Sequence, residues 1–384
     1  MKSWPTVALA EVAPILRRPA EIHGDRSYPE LGVRSFGRGT LHKPAVAGAD
    51  VGTQRLFRIE PGDLVFSNVF AWEGAIAVAS SADAGRFESH RFITCVVAAQ
   101  IANATFLKPY LTAAPRGREQ VLRASPGGAG RNRTLGVEKL GQIRVPLPAL
   151  SEQQAIVARL DALAEKTRQV EAHLVAAERN AEHLLALRFR DAIADAPLQP
   201  MAKVAPSIRR QVAIVASERY REVGARSFGK GLFIKPEFDG ADATWQKPVW
   251  IKSGDLVLSN IKAWEGAIAE ARDEHDGCIA SHRYITCVSD RTVVAAGFLA
   301  YYLLSEDGLE KIGIASPGTA DRNRTLSLGN LGKIYVPVPS IAAQRRFLSL
   351  QSEVTALRAQ HTAIRQANAA LLPATLERVF AGSA

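Results

Sequence analysis

"GDLVFSNVFAWEGAIA" occupies residues 62–77, and "GDLVLSNIKAWEGAIA" occupies residues 254–269 of the same 384-residue chain. The phrase belongs to a longer repetition, because "RSFGRG" (34–39) returns as "RSFGKG" (226–231) and "SHRFITC" (89–95) as "SHRYITC" (281–287). Aligned without a gap, 34–96 and 226–288 agree at 34 of 63 positions, far above what shared composition produces. The chain is a duplication. One residue is then lost from the second copy, so that "ASPGGAGRNRTLG" (124–136) pairs with "ASPGTADRNRTLS" (315–327). After it, "IRVPLPALSEQQ" (143–154) pairs with "IYVPVPSIAAQR" (334–345). Copies of about 190 residues are too long for solenoid repeats and have the size of whole domains.

Each copy opens with a globular stretch that reads as mixed α and β. "DLVFSN" (63–68) and "RFITCVV" (91–97) are short apolar runs bounded by glycine-rich turns, as strands are. "TFLKPYLTA" (105–113) and "GFLAYYLLSEDGLEKIG" (297–313) have helical spacing. The texture then changes: 151–194 contains neither Gly nor Pro and opens after Pro146 and Pro148, with Ser151 as the expected N-cap. Ile156, Leu160, Leu163, Thr167, Val170, Leu174, Ala177, Ala181, Leu184 and Ile193 form a narrow apolar stripe on a helix roughly 65 Å long. The segment from Ala342 carries a matching stripe of Phe347, Leu350, Val354, Leu357, Ile364, Leu371 and Leu376, with Pro373 expected to kink or end the helix. Two rods of equal length with narrow stripes predict an antiparallel coiled coil, the other reading being that each helix packs on its own domain. The expected organisation is a domain over 1–150, a long helix over 151–196, a second domain over 197–341 and a second long helix over 342–384.

With 47% hydrophobic and 22% charged residues, the chain has the balance of a globular protein with two cores. It has no apolar run of about 18 residues. Its first residues are broken by Pro5, Glu11 and Pro14, so a soluble, unexported protein is expected. Cys95, Cys278 and Cys287 lack CxxC or paired-His spacing, which leaves no case for a disulfide framework or a zinc site and suits a reducing cytoplasm. The net charge is +10, and residues 1–150 are the most basic part, with 19 Lys/Arg against 12 Asp/Glu. Such a balance points to a polyanionic partner.

No GxGxxG after a strand, GxxxxGK[ST], HExxH or GxSxG occurs, which removes the common nucleotide, zinc-protease and hydrolase motifs. His90 with Cys95 and His282 with Cys287 are spaced to project to opposite faces of a strand, the wrong geometry for a dyad. Asp63, Glu73 and their mates Asp255 and Glu265 lie in turns, where structural roles are favoured. "GRNRT" (130–134) and "DRNRT" (321–325) are different. Paired arginines and an asparagine after Ser-Pro-Gly supply guanidinium forks and a bidentate amide, the groups that read phosphates and base edges.

The order of globular module, "PLPALSEQQAIVARLDAL" (146–163), second module and second helix resembles the specificity (S) subunit of type I restriction-modification systems along essentially the whole chain. The second copy departs by having Ala343-Gln344 where Glu152-Gln153 stand in the first. The resemblance implies an α+β chain of two tandem homologous target recognition domains, each followed by a long helix, the helices pairing as an antiparallel coiled coil with a pseudo-twofold. It implies a non-catalytic subunit that binds no cofactor itself. Double-stranded DNA and two methyltransferase subunits would be its partners, together with restriction motor-nuclease subunits where a system has them. S-adenosylmethionine would belong to the methyltransferase, ATP and Mg2+ to the restriction subunit. Similar halves predict a nearly palindromic bipartite DNA site.

The expected DNA contacts are Arg34, Arg38, Asn68, Arg91, Arg131, Asn132 and Arg133, with Arg226, Lys230, Asn260, Arg283, Arg322, Asn323 and Arg324 in the second copy. Trp72 and Trp264 read as core or turn anchors. Ile156, Leu160, Leu163, Val170, Leu174, Phe347, Leu350, Val354, Leu357 and Ile364 are the expected helix-packing positions. The competing readings are a stand-alone two-domain DNA-binding repressor or scaffold, which would bind DNA without enzyme partners, and a two-site hydrolase built on His90 and His282.

Overall fold

A computed structural model of the chain describes residues 4–128, 133–243, 247–318 and 324–381. The chain forms two compact units, Met1–Leu174 with His361–Ala384, and Val175–Gln360. This division differs from the four consecutive segments expected above. Each long helix, Leu150–Ile193 and Ile341–Phe380, begins in one unit and ends in the other.

In the first unit, Leu64–Ser67 is the middle strand of an antiparallel sheet between Ile76–Val78 and Phe92–Cys95. All four of its residues are buried, and the alternation of a strand sends them to different cores. Leu64 and Phe66 join the main core with Phe106, Leu107 and Tyr110, while Val65 joins a smaller cluster of Leu31, Ile59, Ala79 and Phe92. The second unit repeats the plan with Asp255–Ser259 between Ile268–Glu270 and Tyr284–Val288. There Leu256 and Leu258 face the main core and Val257 the smaller one. The registers agree as well, Leu64 opposite Cys95 and Leu256 opposite Cys287. The segment 297–313 is two helices rather than one, Ala296–Leu303 and Glu306–Ile314, because the Ser305 hydroxyl accepts the Gly308 N–H at 3.2 Å and starts a new helix.

The long helices serve both as a pair and as core elements, so the two sequence readings combine. In the first unit the Asn368 amide donates to the Thr167 carbonyl at 3.0 Å and Arg365 Nε meets Glu171 at 2.9 Å. In the second, Arg358 pairs with Glu182 and the Phe189 ring lies 5.2 Å from that of Phe347. In each unit one residue number rises as the other falls, so the pairing is antiparallel. Leu160, Leu376 and Phe380 close the first core, and Leu185, Phe189, Phe347 and Val354 close the second. Phe380 packs its ring 5.4 Å from Phe106 and 5.3 Å from Tyr110, with Trp4 at 6.3 Å. Phe189, its counterpart in the repeat, packs 5.3 Å from Phe298 and 4.7 Å from Tyr301.

Four expectations about the helices need correction. Ile364 and Leu371 are 44% and 47% exposed, and the inward positions fall to His361, Arg365, Asn368 and Leu372. Leu184 is likewise exposed while Leu185 and Phe189 are buried, because four-residue steps shift the stripe by one position after Leu174. Pro373 does not end its helix, which continues to Phe380; burial of Leu376 and Phe380 holds the last turns in place. Ile156, Leu163, Val170, Leu350 and Leu357 are half-buried, and Leu160, Leu174, Phe347 and Val354 fully so. The first helix starts at Leu150, so Ser151 lies in its first turn and not at the cap.

Each globular part is fastened to its helix by one glutamine. Gln153 is fully buried; its Oε1 accepts the Asn103 N–H at 2.9 Å, and its Nε2 donates to the Ile101 and Pro148 carbonyls, both at 2.9 Å. Gln344 repeats this with the Ala295 N–H at 2.9 Å and the Val293 and Pro339 carbonyls at 3.0 and 2.8 Å. A glutamate would lack both donors and an asparagine would fall a methylene short. The Glu152-to-Ala343 departure is therefore harmless, since the glutamine beside it carries the contact. Gln153→Leu and Gln344→Leu each strand three buried or part-buried backbone groups and should each destabilise by about 3 kcal/mol, measured as a lower midpoint in urea.

Candidate nucleic-acid interface

The repeated "AWEG" becomes a short 3-10 turn, Ala71–Glu73 and Ala263–Glu265, and the basic side chains gather around it. Gly74 ends the first turn at φ 79°, a left-handed backbone that favours glycine. Against this turn docks the loop 34–39. Phe36 N–H donates to Glu73 O and Gly37 N–H to Gly74 O, both at 2.8 Å, and the Ser35 hydroxyl donates to the Glu73 carboxylate at 3.0 Å. The loop is closed by Arg34 N–H to Gly39 O at 2.9 Å. The second copy matches it, with Phe228 N–H to Glu265 O at 2.7 Å, Gly229 N–H to Gly266 O at 2.9 Å and Ser227 to Glu265 at 2.9 Å. Glu73 and Glu265 are thus struts of the basic loop. Lys262 holds the Glu265 carboxyl below its ordinary pKa through a side-chain hydrogen bond.

Arg34 and Arg38, and Arg226 and Lys230, are exposed on these loops. The turn's own tryptophan carries another cation: the Arg133 guanidinium lies 5.8 Å from the Trp72 ring, and that of Arg324 5.3 Å from Trp264. The indole N–H groups bond to Val69 O at 3.0 Å and Ile261 O at 3.1 Å, which fixes both tryptophans as turn anchors. Asn68 sits just before the turn, half-buried, with its N–H on Arg91 O at 2.7 Å and its carbonyl accepting Leu135 N–H at 2.8 Å. Asn260 joins Arg283 and Leu326 in the same way, at 2.8 and 2.7 Å. Arg91 and Arg283 are exposed at the strand start. Residues remote in sequence thereby converge on one turn in each unit. Arg131, Asn132, Arg322 and Asn323 lie outside the described residues.

The other candidates are structural. Asp63 accepts two hydrogen bonds from Arg18, at 2.6 and 3.1 Å, and Asp255 two from Arg210, at 2.7 and 3.1 Å. Burial pushes the Cys95 and Cys287 thiols up to about 12, which disfavours thiolate at neutral pH, while His90 and His282 are exposed in the turns that precede their strands. Among the described residues no cluster of His, Cys, Asp and Glu fits a metal ion, and no helix is long and apolar enough to cross a membrane.

Compared by sequence, the chain matches no protein-family profile and no curated protein. Compared by structure, it aligns over its whole length with the HsdS subunit from Thermoanaerobacter tengcongensis, at a TM-score of 0.69 and 19% identity, covering 98% of that chain. The fold is that of HsdS. A chain from a type I R-M system, solved in a study of complex assembly and conformational transition, aligns at a TM-score of 0.70 and 20% identity, covering 100% of this chain and 99% of that one. The HsdS fold accommodates the α+β domains, the long helices and their antiparallel pairing.

Sequence reasoning missed Phe36 and Phe228, which stand 71% and 77% exposed at the centre of the basic loops. Their repetition was visible; their left-handed backbone, φ 61° and 63°, was not. The copies also differ in charge beneath the surface. Glu88 is buried in the first unit where Ala280 stands in the second, and it accepts a hydrogen bond from Thr94 while its second oxygen has no partner among the described residues. Burial raises its pKa to about 7 from 4.5. A carboxyl whose folded pKa is raised contributes stability that is complete below its unfolded pKa and lost as pH rises through its folded one. Stability of the first unit should therefore fall between about pH 4.5 and 7, by roughly 3 kcal/mol in total. Glu88→Gln should flatten that profile in pH-dependent urea unfolding.

Proposed function

We propose that this chain is the DNA-specificity subunit of a type I restriction-modification system, each unit reading one half of a bipartite site that is nearly palindromic. One observation carries the proposal: a basic surface built around a single turn occurs twice, with matching bonds, on the fold of HsdS. The exposed arginines engage phosphates, and the asparagines of the "RNR" segments read base edges. Catalysis belongs to the partners: two methyltransferase subunits that use S-adenosylmethionine and, where present, restriction subunits that use ATP and Mg2+. The assembly works in the cytoplasm, where the genome is.

Co-expression with the neighbouring methyltransferase subunit, followed by mapping of methylated adenines across the host genome, tests the reading. A split motif with similar inverted halves, lost when the gene for this chain is deleted, is the expected result. Methylation independent of the chain would defeat the proposal and favour a repressor or scaffold; a split motif with dissimilar halves would defeat only the palindrome. Phosphate contacts also predict a salt signature. Arg38→Ala and Lys230→Ala should each reduce the slope of log affinity against log salt by about 1 and weaken binding to all sequences alike, as measured by fluorescence anisotropy of the methyltransferase complex.

A further inference from the structure

Among the described residues only Phe36, Phe228 and Lys247 combine a side chain with a left-handed backbone, and the first two are repeat mates. A phenylalanine is an unfavourable residue there, since its Cβ crowds the following carbonyl where glycine or asparagine would sit more easily. The fold does not use the rings. They are 71% and 77% exposed, belong to none of the core clusters, and lie beside a neighbouring cation, Arg38 at 5.6 Å and Lys230 at 5.9 Å. The backbone bonds that dock the loops come from main-chain groups any residue would supply. Yet both copies keep the aromatic although nearly half of the aligned positions have changed. Strained, exposed side chains held on a rigid support mark functional sites.

The support here is rigid in both copies. The loop is closed on itself, hydrogen-bonded to the turn at two main-chain points and one side chain, and backed by Thr112 in the first unit and Leu304 in the second. Exposed cations stand two residues to either side of each ring in sequence, Arg34 and Arg38 or Arg226 and Lys230, and the later one of each pair lies beside the ring. An apolar wedge beside a phosphate-binding cation is an arrangement that enters a base step of duplex DNA and unstacks it. Resting on the DNA-reading function proposed above, we infer that Phe36 and Phe228 are wedges that insert into one base step of each half-site. The sequence dependence of unstacking then adds to the discrimination made by base-edge contacts.

The test uses the chain in complex with its methyltransferase subunit, after methylation mapping has defined the site. Duplexes carrying 2-aminopurine at successive steps of either half would report unstacking as increased fluorescence. One responsive step is expected per half. Phe36→Asn removes the ring while suiting the left-handed backbone, so thermal unfolding should be unchanged or raised. It should abolish the signal in one half only and weaken binding about tenfold; Phe228→Asn should do the same in the other half. Affinity within twofold of the parent would overturn the inference, and so would a signal that survives both substitutions. Loss of affinity without any unstacking in the parent complex would also overturn it, assigning the rings to base edges instead. A parent complex that binds no DNA at all would instead be the failure of the underlying functional reading.

Discussion

A single primary amide at the foot of each long helix connects everything else. Gln153 and Gln344 spend both donors and an acceptor on three backbone groups from two directions, the proline-containing approach to the long helix and the loop that leads into Ala104–Thr112 or Ala296–Leu303. Because each glutamine is fully buried and all three partners converge on it, the geometry admits little play. The direction in which each helix leaves its domain follows from that amide. So does the placing of the next inward residues, Leu160 in one copy and Phe347 in the other. The antiparallel pairing can then be completed by polar partners such as Thr167 with Asn368 and Glu171 with Arg365, which admit one register where leucines would tolerate several.

The basic surface obeys a comparable economy. One turn, ended by a left-handed glycine, presents its carbonyls to the loop before it and its tryptophan face to the arginine after it. Cations that would repel one another on a free loop are thereby held on stiff backbone, with Glu73 or Glu265 buffering them from beneath. The two copies keep this core device and vary around it. Phe233 lets Arg226 stack at 4.5 Å where the first copy has Leu41, and His42 bonds to Asp83 at 2.8 Å where the second copy has Ile234 and His275.

Much of this was legible in the residues because duplication supplied an internal comparison. The domain repeats, the glycine-free helices and the turn-anchoring tryptophans all follow from spacing and residue type. What escaped was three-dimensional. Ile364 looked like a stripe residue, but a shift of the helical repeat gives its place to Arg365, and periodicity counted from one end does not reveal where such a shift occurs. The sign of φ at Phe36 depends on hydrogen bonds to a turn 37 residues away in sequence, so no local pattern discloses it. The convergence of Arg34, Asn68, Arg91 and Arg133 on one turn is likewise a product of sheet register. Arg131 and Asn132, which the sequence singles out most strongly, lie outside the described residues.

The placing of Phe380 beside Trp4 has a consequence for the order in which the protein comes into being. The second unit is contiguous, from Val175 to Gln360, and holds all its parts as soon as that stretch has been synthesised. The first unit has its strands and domain helices early but lacks Leu376 and Phe380, made some 200 residues after its own portion of the first long helix. At roughly 5–20 residues per second, that core stays open for about 10–40 s, with Phe106 and Tyr110 uncovered. The half translated first is therefore the half that matures last, and during that interval it offers an aromatic socket to any chain that can fill it.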